Sequence, residues 1–513
     1  MKRKRIFILL MLVVAFSACQ TKAPESYRDA SDSLMIYPDY RGVTVPMNVA
    51  PLNFCVENPA EKVVALVRSS EGDQLIASAG SDRKVCFNQG LWKNFLEKHP
   101  NDTLMVDVYA KEAEWMKYPS FSIVVVPDSI DKYVTFRLIE PSYMSTGKYG
   151  LYEHDMETSE RITFVSNKQF KQDPSHKGQM CMNCHTKQLN HQENSLFHYR
   201  VDGGGMVMTY NGKTRVVATK VGDMSMPAIY SQWHPTLPFI TFSNNMMHQV
   251  FPTQDPNKIE PMDERSDILL YDVERNEVSY VFKTRDKSET YSTWSPDGKY
   301  MYYCSSDSML NKASSNYKDI RFDLMRVEFF PDSVKWGTPE LIYSASAVGK
   351  SVAKPRVSPD GRYVVMTVSS YGAYHFTHHD ADVWLYDLEN KTCQPLPAVN
   401  SDQAECYTMW SSNGRWLLVS SRAEDGNYVR LYFSYFDKSG KAHKPFQLPH
   451  EDPLFDRDLL QNYNYPEFGT AKVSITPNEI YNLIDAKTPV VPSYRGEMTE
   501  SVDGNSGASI LQK

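Results

Sequence analysis

Short apolar runs punctuated by turn residues, rather than long amphipathic stretches, organise this chain. After a polar stretch at 20–40, β-like runs recur at Lys62-Val63-Val64-Ala65-Leu66-Val67, Thr103-Leu104-Met105-Val106-Asp107-Val108-Tyr109 and Phe121-Ser122-Ile123-Val124-Val125-Val126. Pro127-Asp128 breaks the last, and Tyr133-Val134-Thr135-Phe136-Arg137-Leu138-Ile139 follows. Strands at this turn-marked spacing predict a small Ig-like β-sandwich over 37–160. One helix is predicted at Gln89–Lys98, with Leu91, Phe95 and Leu96 on one face.

From 206 to 450 the pattern repeats. Trp233-His234-Pro235, Trp294-Ser295-Pro296-Asp297-Gly298, Val357-Ser358-Pro359-Asp360-Gly361 and Trp410-Ser411-Ser412-Asn413-Gly414 each lead into a hydrophobic run. The landmarks lie about 60 residues apart, and Asp-Gly or Asn-Gly before such a run signals a hairpin. Asp267–Val273 and Asp382–Leu388 supply a second strand signature, and Asn211-Gly212 marks a further hairpin. A four-stranded unit cannot bury both its faces alone, so the units must pack radially or in a stack. The large aromatic residues are expected in the cores between them. Past 450 the repeat stops. In the extension 451–513, Thr476-Pro477-Asn478-Glu479 has the form of a capping box opening a short helix.

The N-terminus reads as an address. Lys2, Arg3, Lys4 and Arg5 precede an apolar run, Ile6 to Phe16, too short to span a bilayer but of signal-peptide length. Ser17-Ala18-Cys19 then resembles a bacterial lipobox, although Phe16 is atypical there. The resemblance implies removal of 1–18, acylation of Cys19, and 19–36 as a tether. Export permits both disulfides and covalent haem. The net charge of −7, with no long basic block, argues against a nucleic-acid partner and leaves the lipid as the membrane contact.

Within the segment 161–205, Asp173–Arg200 is polar, shows no strong strand pattern and holds Cys181-Met182-Asn183-Cys184-His185. C-x-x-C-H is the attachment sequence of c-type haem, and by chance this composition yields it about 0.003 times per chain. On one helical turn the two thiols meet the porphyrin's vinyl-derived carbons, and His185 becomes the proximal ligand. Structural zinc would want a second ligand pair, which is missing, and a thioredoxin-like pair would want a βαβ setting. The expected cofactor is one covalent haem c at Cys181 and Cys184. The iron is held by His185 and, as first choice for the sixth position, His198; Met206, Met208, His191 and His176 stay open. Because 161–205 is too short for a cytochrome domain, the haem is expected to bury its faces against both neighbours.

The order of lipobox, sandwich, C-x-x-C-H, His198-Tyr199-Arg200, Trp233-His234-Pro235 and propeller repeats resembles Bacteroidetes TolB-like β-propeller lipoproteins with a single c-type haem motif, loosely labelled cytochrome c biogenesis proteins. The repeats resemble TolB blades over roughly 207–448. The resemblance implies an all-β fold of sandwich, short haem-binding insertion and propeller of about six blades, four of them clear. It implies no reaction.

The expected function is single-electron transfer by an outer-membrane lipoprotein facing the periplasm, with a redox protein or envelope complex as partner. The alternative is an envelope scaffold whose haem is structural or a redox or gas sensor. No residue is nominated as a catalytic acid or base, and enzymatic activity is left open. Five further cysteines remain, Cys55, Cys86, Cys304, Cys393 and Cys406, with Cys55–Cys86 and Cys393–Cys406 as candidate bridges. His375-Phe376-Thr377-His378-His379-Asp380 reads as a polar loop rather than a metal site, and His234 and His248 as candidates near the haem.

Overall fold

One recurring turn builds most of the chain. In Ser295-Pro296-Asp297-Gly298, Ser295 Oγ donates to Asp297 Oδ1 (2.6 Å) and accepts from the Tyr300 amide (2.9 Å). Ser358 and Ser411 repeat both bonds with Asp360 and Tyr363, and with Asn413 and Trp416. The following glycines, Gly298, Gly361 and Gly414, sit at φ of 72°, 76° and 66°, which any side chain resists. These turns return the chain antiparallel after the first strand of each repeat. Asn211-Gly212, at φ of 49° and 71°, turns the predicted hairpin between Gly205–Tyr210 and Lys213–Val217.

The computed structural model describes residues 22–141, 149–171, 181–200, 204–222, 224, 226–252, 254–257, 259–309 and 314–495. Cys19, His176 and the termini lie outside that set. The fold is nearly all β, and no helix among the described residues is long and apolar enough to cross a membrane.

The chain divides into two compact units. The first comprises residues up to Pro127 together with Pro449–Phe455. It holds a seven-stranded sheet in which Thr103–Lys111 pairs with Lys62–Arg68, Trp115–Lys117 and Phe121–Val126, and a three-stranded sheet of Ile36–Tyr37, Phe54–Val56 and Lys84–Val85. The helix Gln89–Lys98 forms with the predicted bounds, but Trp92 rather than Leu91 joins Phe95 and Leu96 inside. Leu91 is 58% exposed in the first turn of the helix, where its amide donates to the Asn88 side chain.

Among its described residues the second unit, Asp128–Leu448 with Asp456–Lys513, contains six sheets, antiparallel except where Ser493–Arg495 joins Glu277–Tyr280 in parallel. Sheet 1 is Cys181–Gln188, His191–Arg200, Gly205–Tyr210 and Lys213–Val217; sheets 2 to 5 begin at Ile229–Trp233, Lys287–Trp294, Ser351–Val357 and Glu405–Trp410. Sheet 6 starts with Asn462–Gly469 and takes Tyr133–Ile139, Gly150–Asp155 and Arg161–Ser166 from much earlier in the chain. The six first strands touch one another in sequence, and that of sheet 6 touches that of sheet 1, closing a ring. Buried apolar clusters fill the spaces between consecutive sheets: Met206, Met208 and Trp233 between 1 and 2, Trp294 and Phe239 between 2 and 3, and Trp410 and Val365 between 4 and 5. The fold is thus propeller-like.

Two expected boundaries move. Tyr133–Ile139 was assigned to a sandwich ending at 160, yet it pairs with Asn462–Gly469, so the first unit ends at Pro127 and the expected extension 451–513 supplies the closing strand. The segment 161–205 is not an insertion: it forms the outer strand of sheet 6 and the first two strands of sheet 1. Its strands escaped notice because their buried side chains include His185, Thr186, Lys187 and His198, which hide the apolar alternation. The helix Pro477–Asp485 does carry its capping box, with Thr476 and Glu479 reciprocally bonded. It covers sheets 1 and 6 with Ile480 and Ile484.

Candidate functional site

A shared irregularity defines the middle of the ring. In the first strands of sheets 2 to 6, two residues face one partner, and the first of the two is left-handed: Tyr230, Tyr291, Lys354, Tyr407 and Tyr465, at φ of 49–56°. Left-handed bulky residues cost on the order of 1 kcal/mol or more each, so a fivefold recurrence marks a built feature. Their side chains form a continuous chain of contacts. Tyr230 and Tyr291 have ring centres 4.6 Å apart, the Lys354 ammonium lies 4.2 Å from Tyr291 and 4.9 Å from Tyr407, and Tyr407 is 5.4 Å from Tyr465.

Sheet 1 departs from this pattern at the C-x-x-C-H sequence. Cys181–Gln188 is a strand, not the helical turn expected of a haem-attachment sequence, and its register slips by one residue at Cys184, between Asn183 and His185. A single extra residue replaces the two-residue, left-handed bulge of the other sheets. Cys184 is buried, and its thiol is close enough to Tyr230, Lys354 and Tyr465 to act electrostatically on all three.

His185 is 4% exposed and directed toward sheet 6. Its Nε2 lies 3.2 Å from the Thr135 carbonyl oxygen, and its ring meets Tyr465 edge-on at 6.2 Å. Because a carbonyl only accepts, Nε2 carries the proton, and the Nδ1 lone pair has no hydrogen-bond partner. Burial first, then the nearby Lys187 charge, pushes this imidazole down to about 3, so it is neutral at physiological pH. His198 lies on the other side of the same sheet, sharing a 2.8 Å hydrogen bond with Ser231 of sheet 2, and burial lowers it to about 3 as well. Met206 and Met208 are in the core between sheets 1 and 2, with Met206 directly opposite His198.

The expected ligand pair is therefore not assembled: His185 and His198 face opposite neighbours across one sheet and do not share an iron. His191 is exposed and meets Thr470. His234 accepts from the Thr236 and Leu237 amides and donates toward the Gly298 carbonyl, while His248 pairs with Glu264 at 2.5 Å. Neither approaches His185. His378 sits between Glu260 (2.6 Å) and Ser369 (2.8 Å), and His375 and His379 have partners of their own, as suits a structured loop. Of the candidate bridges, Cys393 lies by Tyr343 and Cys406 by Lys354, and among the described residues Cys86, Cys304, Cys393 and Cys406 carry no disulfide.

The donors at this strand match haem attachment in chemistry: a buried thiol, and a neutral imidazole with an unpartnered nitrogen. The packing around them does not. The cavity lined by His185, Lys187, Gln192 and Thr135 measures about 30 Å³, room for a single water and not for a tetrapyrrole, and His185 Nε2 is already engaged. Lys187, which reaches Thr135 Oγ1 at 2.6 Å, and Glu467 tie sheet 1 to sheet 6 across that wall.

The left-handed residues have a signal in the sequence: four stand three positions before a repeat landmark, Tyr230 before Trp233, Tyr291 before Trp294, Lys354 before Val357 and Tyr407 before Trp410, and Tyr465 stands at the same distance before Phe468, outside the recognised repeat.

No family model matches the chain, and no curated protein does. Solved structures resemble it distantly. A puromycin-hydrolysing peptidase of Mycobacterium tuberculosis aligns at 10% identity and TM-score 0.34 over 84% of this chain and 57% of that one. An oligogalacturonate lyase in complex with manganese aligns at 11% and 0.29, over 81% and 99%. A GH74 enzyme of Niastella koreensis aligns at 9% and 0.34, over 62% and 54%. This chain spans little more than half of the peptidase, and scores this low carry nothing about activity.

Proposed function

We propose that this chain is a lipid-tethered protein of the bacterial outer membrane, facing the periplasm, that carries one c-type haem and exchanges single electrons with a redox partner. In this reading Cys19 bears the lipid, Cys181 and Cys184 bear the haem, and His185 is its protein ligand. The closed succession of first strands supports six propeller blades, which this reading takes as TolB-like, with the unit that precedes them in the sequence as an Ig-like sandwich.

The observation that carries the reading is the departure of sheet 1. Of six inner strands, it alone gives up the left-handed Tyr or Lys and places a thiol and a neutral imidazole there instead. A bound haem would supply one-electron chemistry. The chain itself holds His185 neutral by burial and sets Cys184 near Tyr230, Tyr465 and Lys354. Replacing Cys181 and Cys184 by Ala in protein exported by a cytochrome-maturing host should remove all visible absorbance while the fold persists. Absorbance surviving the double substitution would refute attachment at these sulfurs.

A second reading, an envelope scaffold without electron transfer, is favoured by the packed surroundings of His185. Partner capture unaffected by the same double substitution would support it.

A further inference from the structure

Two buried cations in the ring form no close ion pair among the described residues. Lys354 and Arg356 share the first strand of sheet 4 and are 5% and 8% exposed. The Lys354 ammonium donates to the Ala373 carbonyl (3.3 Å) and otherwise faces Tyr291, Tyr407 and Tyr374. Arg356 donates to Met409 Sδ (3.0 Å), the Pro355 carbonyl (2.8 Å) and Tyr465 Oη (3.0 Å). Among the described residues neither forms an ion pair with a carboxylate.

The carboxylates that act on them through space are hydrogen-bonded elsewhere. Asp263 accepts from Asn245 and Tyr374, and Glu467 accepts from Thr186 and the Lys187 amide. Buried charges are normally paired, because desolvation without a counter-charge is strongly unfavourable. Burial lowers Lys354 to about 8, and the Arg356 charge adds to that, which leaves it mostly charged at neutral pH. A third polar group stands beside them: the Tyr291 hydroxyl, on a residue 2% exposed, which faces Tyr230.

We propose that Lys354, Arg356 and Tyr291 form a carboxylate-binding site inside the ring of sheets. Two sources offer that chemistry, a free small carboxylate or the propionates of a haem held at Cys184, whose thiol Lys354 already feels. The site does not depend on the haem reading, since the missing counter-charge belongs to sheets 3 and 4.

The test is thermal unfolding of the full exported chain, made without cytochrome maturation and titrated with succinate against sodium chloride at equal ionic strength. Wild type should show a saturable rise of several degrees in Tm with succinate. Lys354→Met should lose that rise and, in chloride, melt no lower than wild type, because an unpaired buried charge has been removed. Arg356→Gln gives an independent variant should Lys354→Met fail to fold. An equal response to both salts, or an undiminished succinate response in the variants, overturns the proposal. With haem-loaded protein, loss of the response identifies propionates as the occupant, and its persistence identifies a free carboxylate. Protein that never acquires haem leaves the succinate arm intact, so the two readings fail separately.

Discussion

Phe468 tests the closure of the ring. It is fully buried on the strand that closes sheet 6 against sheet 1, Asn462–Gly469, all eight residues of which are buried. Its ring lies 6.0 Å from Phe433 of sheet 5, and its neighbours on the strand pair with Tyr133–Ile139. Truncating a buried Phe to Ala removes its transfer free energy and leaves a cavity, typically about 3–5 kcal/mol. Set against the roughly 5–15 kcal/mol that stabilises an ordinary domain, that is a large fraction. Leu460, two residues before the strand and 69% exposed, is the control, and Leu460→Ala should fall within about 0.5 kcal/mol of wild type. Guanidinium denaturation followed by tryptophan fluorescence reads both, since Trp410 and Trp416 lie in sheet 5. A Phe468→Ala midpoint no lower than that of Leu460→Ala would mean that the C-terminal strand does not close the sheet.

Three further outcomes follow from particular residues. Gly298→Ala should cost at least about 1 kcal/mol more than Gly212→Ala: both have positive φ, but a Cβ at Gly298 would meet the His234 ring at 2.3 Å, whereas at Gly212 it meets nothing. Paired melting curves decide this, and equal losses would argue against the packing of consecutive turns. His198 is held neutral by burial, so its folded value lies far below its unfolded one; the stability it protects is complete above pH 6.5 and is lost as pH falls toward 3. Unfolding free energies of His198→Gln from pH 6.5 to 4 should therefore fall less steeply than wild type, by up to about 1.4 kcal/mol per pH unit, and parallel curves would contradict the burial. Removing His378 strands Glu260, whose carboxyl burial already pushes up. His378→Leu should lower stability by about 3–5 kcal/mol and expose the hairpin between Val250 and Glu260 to proteolysis; a wild-type cleavage pattern would show that His378 does not hold Glu260 in place.

The sheets of the repeats were readable because their turns carry Asp-Gly or Asn-Gly at fixed distance from a Trp or Val landmark, and the structure puts a hairpin at each. Closure was not readable. Tyr133–Ile139 looks like any half-buried strand, and nothing local announces a partner more than three hundred residues away. Sheet 1 hid for a different reason: its inner strand buries His185, Thr186 and Lys187 through contacts to sheet 6, so polarity pointed to a loop where the chain is extended. His198 was proximal to His185 in sequence, but antiparallel pairing placed it opposite Asn183, on the far face. Lys354 and Arg356 carried no motif; only their position before Val357 set them with the tyrosines.

The central claim is that Cys181, Cys184 and His185 carry haem, and the most direct measurement is intact mass together with the reduced-minus-oxidised visible spectrum of the exported chain. The account predicts one haem's mass on the mature polypeptide and the sharp reduced absorption band of a thioether-linked cytochrome. A colourless protein with unmodified sulfurs at Cys181 and Cys184 would contradict it.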